Sequence, residues 1–150
     1  MIFLYSYHHL NTQKIAEVIA AKINARVINI HENPDLTELE NCDLVGFGAG
    51  IDSGKHYPHM LQFAEKLPAI HHKKAFIFST SAIYSPKKML KDHKALRVIL
   101  ENKGFIIKNE FSCKGYNTNS FLKYFGGMNK GRPNSGDLKN AEYFADTLLQ

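Results

Sequence analysis

Met1-Ile2-Phe3-Leu4-Tyr5-Ser6-Tyr7-His8-His9-Leu10-Asn11-Thr12 begins as an apolar run, turns polar, and leads into a segment of helical period. Met1 to Ser6 reads as a strand. Its start is apolar without in/out alternation, as expected for a strand covered on both faces in a parallel sheet. From Thr12 to Asn24 the residues Ile15, Ala16, Ile19, Ala20 and Ile23 fall on one face of a helix, with Asn11 placed to cap its first turn. A strand that passes through a short polar turn into a helix sets helix N–H groups beside the sheet edge, where they can meet an anion.

The same alternation continues outward from this unit. Val27 to Ile30, Leu44 to Gly48, Ala75 to Ser79 and Phe105 to Phe111 read as four more strands. A helix after Pro58 turns Met60, Leu61, Phe63, Ala64 and Leu67 inward before Pro68 ends it. Another spans Lys87 to Lys103, with Met89, Leu96, Ile99 and Leu100 apolar and Gly104 at the position of a left-handed C-terminal cap. The last starts near Ser135 and buries Leu138, Ala141, Phe144, Ala145 and Leu148, and Asp35 to Asn41 adds a short turn. These elements predict an α/β three-layer sandwich with a five-stranded parallel sheet and helices on both faces.

With 150 residues, the chain has the usual size of one domain, residues 1–150. Its apolar fraction of 44% and charged fraction of 22% are ordinary for a globular protein, and no apolar run approaches the ~20 residues of a membrane span. The opening apolar residues lack a basic leader, so a cytoplasmic location is expected. Cys42 and Cys113 are too far apart in sequence for a metal knuckle or a Cys-x-x-Cys redox pair, and read as buried thiols. Among eight histidines, the pairs His8-His9 and His71-His72 point apart if extended, and Pro58 separates His56 from His59. No carboxylate or thiolate cluster completes a metal set, and no metal is expected. The net charge of +5 favours anionic partners. Lys87, Lys88, Lys91, Lys94 and Arg97 read as the solvated side of the third helix, and no nucleic-acid module is recognisable.

In an open parallel sheet, ligands bind beyond the carboxyl ends of the strands where the winding reverses. Tyr7 to Thr12, Ala49 to Tyr57 and Thr80 to Pro86 occupy that edge. The first resembles the phosphate loop of the flavodoxin family, and most closely a subgroup whose loop reads Tyr-Ser-Thr-His-His-Gly-Asn-Thr; Tyr5 to Thr12 agrees at six of eight positions. Tyr7 stands where that subgroup has a small hydroxyl residue. Leu10 stands where it has glycine, which tolerates positive φ and close backbone approach. Gly48-Ala49-Gly50-Ile51, Ser79-Thr80-Ser81-Ala82 and the stretch from Phe125 to Asn134 also resemble family segments, so the likeness runs along nearly the whole chain.

The resemblance implies a flavodoxin-like sheet in the order 2-1-3-4-5 and a cofactor, flavin mononucleotide (FMN). It implies a phosphate held by Tyr7, His8, His9, Leu10, Asn11 and Thr12, and ring walls from Ala49, Gly50 and Ile51 and from Thr80, Ser81 and Ala82. The chain has no tryptophan, so Tyr84 is the first stacking candidate and Tyr57 the second. The function implied is electron transfer to a redox partner protein, without nucleic acid or membrane, and no side chain need act as acid or base. Two alternatives stay open: an FMN-dependent NAD(P)H or quinone reductase, and a flavin-free interaction module on the same scaffold. Because the family's carriers are typically acidic, a chain at +5 is expected to oppose the anionic reduced flavin less and to show a less negative low-potential couple. Lys114 to Gly136 is a connection of more than twenty residues where about 2–6 is usual. Either it carries binding groups, or Phe121, Leu122, Tyr124 and Phe125 form a short helix that packs.

Overall fold

Residues 1–7 and 9–150 are described by a computed structural model of the chain. Strands β1 (Ile2–Tyr5), β2 (Val27–Asn29), β3 (Leu44–Asp52), β4 (Lys55–His56), β5 (Lys73–Ser81) and β6 (Phe105–Lys114) alternate with helices α1 (Asn11–Ile23), α2 (Pro58–Lys66), α3 (Pro86–Asn102) and α4 (Ser135–Leu148). The main sheet runs β2-β1-β3-β5-β6 with every neighbouring pair parallel. Apart from the short β4, this is the expected order, and the chain has the flavodoxin-like three-layer fold.

Several boundaries differ from the sequence reading, each for a local reason. β3 continues through Ala49, Gly50 and Ile51 because its end folds back on β4, pairing Ile51 with His56 and Asp52 with Lys55. The two-residue turn between them, Ser53-Gly54, has positive φ at both positions, the geometry that matches the twist of a hairpin. β5 likewise includes Thr80 and Ser81, so these are strand residues and not loop residues. β2 stops at Asn29, whose side chain accepts from the His31 N–H and starts a 3-10 turn at Ile30–Glu32. Asn11 is the first residue of α1 and not its cap: Leu10 holds the cap position in left-handed backbone with no side-chain hydrogen bond. Gly104 does follow α3 at φ 93°, where an added Cβ would lie 1.7 Å from the Ile70 carbonyl oxygen.

Alternation splits the sheet residues between two cores. Ile2, Leu4, Phe76 and Phe78 pack with Ile15, Ile19, Ala141 and Phe144 of α1 and α4. Phe3, Phe47, Ala49 and Ile77 pack with Met60, Ala64, Leu96 and Leu100 of α2 and α3. On the α1/α4 face, the bare backbone of Gly46 and Gly48 admits the rings of Phe76 and Phe78; a Cβ on Gly48 would stand 2.0 Å from Phe78 Cζ.

The α2/α3 face ends in a buried polar network. Between β5 and β6 the register slips by one residue at Ala75/Phe76, so Ile77 pairs with Glu110 and Ser79 with Ser112. A β-bulge of this kind changes which side chains face a given layer. Here it sends Glu110 and Ser112 towards α3. His93 Nδ1 lies 2.7 Å from Glu110 and its Nε2 lies 2.8 Å from Ser79 Oγ, which donates to Ser112 Oγ at 2.9 Å. Arg97 donates to both Glu110 oxygens, at 2.5 and 2.8 Å. Arg97 is thus held by an acid and is not a freely solvated residue of α3. Ser79, His93 and Glu110 follow the order of an acyl-transfer triad, but Ser79 is fully buried and spends its hydroxyl proton on Ser112, which leaves no access for a substrate.

Candidate functional site

At the carboxyl edge of the sheet, the ends of β1, β3 and β5 and the loop after β6 enclose a narrow crevice, partly open to solvent. Its floor is set by the α1 start. Asn11 is buried there, its amide donating to the Tyr116 carbonyl at 2.8 Å, while its Oδ1 has no hydrogen-bond partner among the described residues. Thr12 Oγ1 meets Thr80 Oγ1 at 2.8 Å and ties α1 to β5. The Gln13 N–H donates to Ser6 Oγ at 3.3 Å.

The backbone at the turn is unusual. His9 has φ 55° and Leu10 has φ 51°, both left-handed without being glycine. Such a conformation costs an ordinary L residue on the order of 1–2 kcal/mol and tends to be retained at functional sites. Leu10 thus adopts a backbone conformation that glycine would take more readily.

Tyr57 forms one wall. A Cβ on Gly50 would lie 2.6 Å from its ring, so only glycine lets the ring approach β3 this closely. The Tyr57 N–H donates to the Gly50 carbonyl at 3.1 Å, and its ring meets Tyr5 edge-on at 5.6 Å. Burial raises the Tyr57 phenol above its usual range against an opposing hydrogen bond with Asn119, so it stays a neutral hydroxyl at physiological pH.

The loop after β6 closes the other side. Gly115 N–H donates to the Ser81 carbonyl at 2.9 Å, and a Cβ on Gly115 would meet Asn11 Nδ2 at 2.9 Å. Asn129 donates to the Ala82 carbonyl at 2.7 Å, and Asn117 exchanges backbone hydrogen bonds with Met128 at 2.9 and 2.7 Å. His9 Nε2 and Thr118 Oγ1, 2.8 Å apart, join this loop to the first turn.

Of the residues expected at the site, Tyr7, Asn11, Thr12, Gly50, Ile51, Thr80, Ser81 and Ala82 line the crevice together. Ala49 is sealed in the α2/α3 core, and His9 and Leu10 form the turn beside the crevice without lining it. Tyr84 is 40% exposed and also outside the lining, whereas Tyr57, the second stacking candidate, is inside it. His8 lies outside the described residues. Ser6, Gly115, Tyr116, Asn117 and Asn119 line the crevice without having been singled out. The length of the Lys114 to Gly136 connection was the signal for the last four; which of its side chains turn inward depends on the loop's hydrogen bonds.

Among the described residues, no group of three His, Cys, Asp or Glu is placed to hold a metal ion, and no helix is long and apolar enough to cross a membrane. His56 is buried against His93, with ring centroids 4.8 Å apart, while His59 stacks on Tyr5 at 4.6 Å. Cys113 is buried, and burial pushes its thiol up to about 12; Cys42 is half-buried and donates to the Glu38 carbonyl.

A flavodoxin domain family matches residues 2–128 of the sequence. An uncharacterised protein of Methanocaldococcus jannaschii is 47% identical over all of this chain and 97% of its own length. In fold, the chain is similar to flavodoxin 1 of Bacillus cereus, with TM-score 0.71 and 20% identity over 99% of this chain and 95% of the other. It is also similar to part of the rubredoxin oxygen:oxidoreductase of Desulfovibrio gigas, with TM-score 0.66 and 15% identity over 97% of this chain and 34% of that one. The chain belongs to the flavodoxin family, whose members generally bind flavin.

Proposed function

We propose that the crevice holds FMN and that the protein passes electrons between the bound flavin and a redox partner protein. The observation that carries this reading is a crevice at the α1 start and the β3 and β5 ends built from small hydroxyl residues, amides and tyrosine rings, with the buried Asn11 Oδ1 unpaired among the described residues. An acceptor left unpaired in a buried place costs free energy unless a ligand supplies the donor, and flavin and ribityl groups offer N–H and O–H donors. In this reading, the backbone N–H groups of the α1 start with Ser6 and Thr12 hold the phosphate, Asn11 Oδ1 accepts from the ribityl chain, Gly50, Ile51, Ser81 and Ala82 flank the ring, and Tyr57 covers one of its faces.

Once bound, the flavin supplies the redox chemistry, and the side chains around it only hold and orient it. The described lining residues include no carboxylate, histidine or thiol. A neutral lining of this kind suits an electron carrier better than an enzyme that must move substrate protons.

The test is to titrate FMN into purified, desalted protein while following flavin fluorescence and visible absorbance, with riboflavin in parallel. Stoichiometric quenching by FMN, weaker by tenfold or more for riboflavin and for Asn11→Ala, is expected. Absence of quenching by either flavin overturns the reading.

A further inference from the structure

The loop between β6 and α4 turns large aromatic side chains away from the protein. Phe121, Tyr124 and Phe125 are 65%, 77% and 81% exposed, all on the 3-10 turn Ser120–Phe125. Of the two readings of this connection, the short helix that packs is not the one that forms. Yet the turn is not loosely held: the Gly127 N–H returns to the Leu122 carbonyl at 2.8 Å, Tyr116 Oη donates to the Gly126 carbonyl, and the paired Asn117 and Met128 close its base. Hydrogen bonds thus hold a platform that presents the rings to solvent, at an ordering cost its own packing does not offset.

Other exposed apolar residues share this edge. Tyr7 and Leu10 follow β1, Ile83 follows β5, and the strands are parallel, so these loops come to the sheet end that carries the crevice, whose lining includes Asn117 and Asn119 just before the aromatic turn. Contiguous exposed apolar groups, aromatic ones above all, mark protein contact surfaces. The charges set among them are mostly positive. Lys123 and Lys130 lie on the same loop, Lys87 and Lys91 on the first turns of α3, and Lys55 on the β3–β4 hairpin, all exposed. Of the nearby acids, Asp92 is held by Lys88 and Asp137 by Arg132, which leaves Asp52 as the exposed carboxylate of the hairpin.

We propose that this rim is the docking surface for an acidic redox protein, with Phe121, Tyr124 and Phe125 as the contact and the surrounding lysines steering its approach. The proposal deepens the FMN reading and rests on it, since a partner seated here sits over the crevice mouth. A second copy of the chain fits the rim poorly because it would bring like charges together.

The experiment measures association of the protein, with and without FMN, with a small acidic iron–sulfur ferredoxin as probe. A basic cytochrome c, a single-stranded oligonucleotide and the protein itself serve as competitors. The ferredoxin is expected to bind best, with an association rate that falls steeply with salt. Lys123→Glu/Lys130→Glu should slow association about tenfold at low salt and match the parent at high salt. Phe121→Ala/Phe125→Ala should weaken binding about tenfold at both salts while FMN quenching and thermal midpoint stay unchanged. Binding unaffected by either pair, preference for the cytochrome or the oligonucleotide, or self-association abolished by the phenylalanine changes would each overturn the proposal. Because binding is scored with and without flavin, failure to take up FMN overturns the FMN reading by a separate measurement.

Discussion

The two faces of the sheet are built on different principles. Towards α1 and α4, the sheet is held by shape: glycines on β3 receive phenylalanine rings from β5, and buried polar groups such as the Thr12–Thr80 pair gather near the crevice end. Towards α2 and α3, a hydrophobic floor gives way near the same end to Ser79, His93, Arg97, Glu110 and Ser112 bonded to one another, with His56 beside them. Neighbouring residues of a single strand, Phe78 and Ser79, belong one to each arrangement. The contrast shows that a parallel sheet covered on both faces can be sealed on one by close packing and on the other by a satisfied polar network.

If the first face depends on shape, Gly48→Ala should be the most damaging small change on that face. The added methyl meets the Phe78 ring within the central strands, and a loss of ~3 kcal/mol is expected in urea unfolding. Combining it with Phe78→Leu should recover part of the loss; no recovery would mean that the backbone, and not the ring, is what Gly48 accommodates.

If the second face depends on bonding, Glu110→Gln should cost about 2 kcal/mol at pH 7, because Arg97 and His93 keep their burial and lose their carboxylate. Burial works to raise the Glu110 pKa, but hydrogen bonds from His93 and Arg97 outweigh it and bring the carboxyl from 4.5 to about 2. A carboxylate lowered in the folded state stabilises it above the unfolded value and loses that contribution as pH falls from about 4.5 towards about 2. The gap between parent and variant should therefore close across that window, and a gap that persists unchanged at low pH would assign the effect to packing.

His56 separates the two principles further. Among the described residues neither of its ring nitrogens finds a hydrogen bond of ordinary geometry, and burial, reinforced by the nearby His93, holds its pKa well below 6.5. The unfolded chain takes up that proton below about pH 6.5 and the folded chain does not, so stability should fall with acidification from there. His56→Leu should remove this part of the pH dependence with little change in the midpoint at pH 8; an unaltered slope between pH 6.5 and 5 would show that His56 is not its source. The smallest effect is expected at the crevice end of α1. Leu10→Gly relieves left-handed strain but frees the unfolded chain, for a net gain of about 0.5 kcal/mol. A loss of stability would mean that the Leu10 side chain has a contact worth more than the strain.

The run from Met1 to Thr12 announced its strand, turn and helix correctly in outline, since burial on both faces of β1 demands apolar residues throughout and α1 demands them at helical spacing. Asn11, Thr12, Gly50 and Thr80 were also legible as crevice residues, because they lie beyond or at strand ends that parallel topology brings to one edge. Less was visible where one local choice depended on a distant neighbour. Asn11 looks like a cap from sequence, yet its amide is claimed by Tyr116, more than a hundred residues on. Tyr84 and Tyr57 are both loop tyrosines in sequence, and only the hairpin through Ser53-Gly54 turns Tyr57 against Gly50.

The order and type of the main elements, and the edge where a ligand would lie, follow from the sequence alone because periodicity and chain direction are local properties. The polar network did not. Arg97 reads as part of the solvated side of a helix and Glu110 as one residue of an apolar strand, and nothing in the pattern singles out His93. It is the one-residue bulge in β6 that brings Glu110 beneath α3 and makes burying these charges tolerable, and a register between strands thirty residues apart is decided only when both are packed.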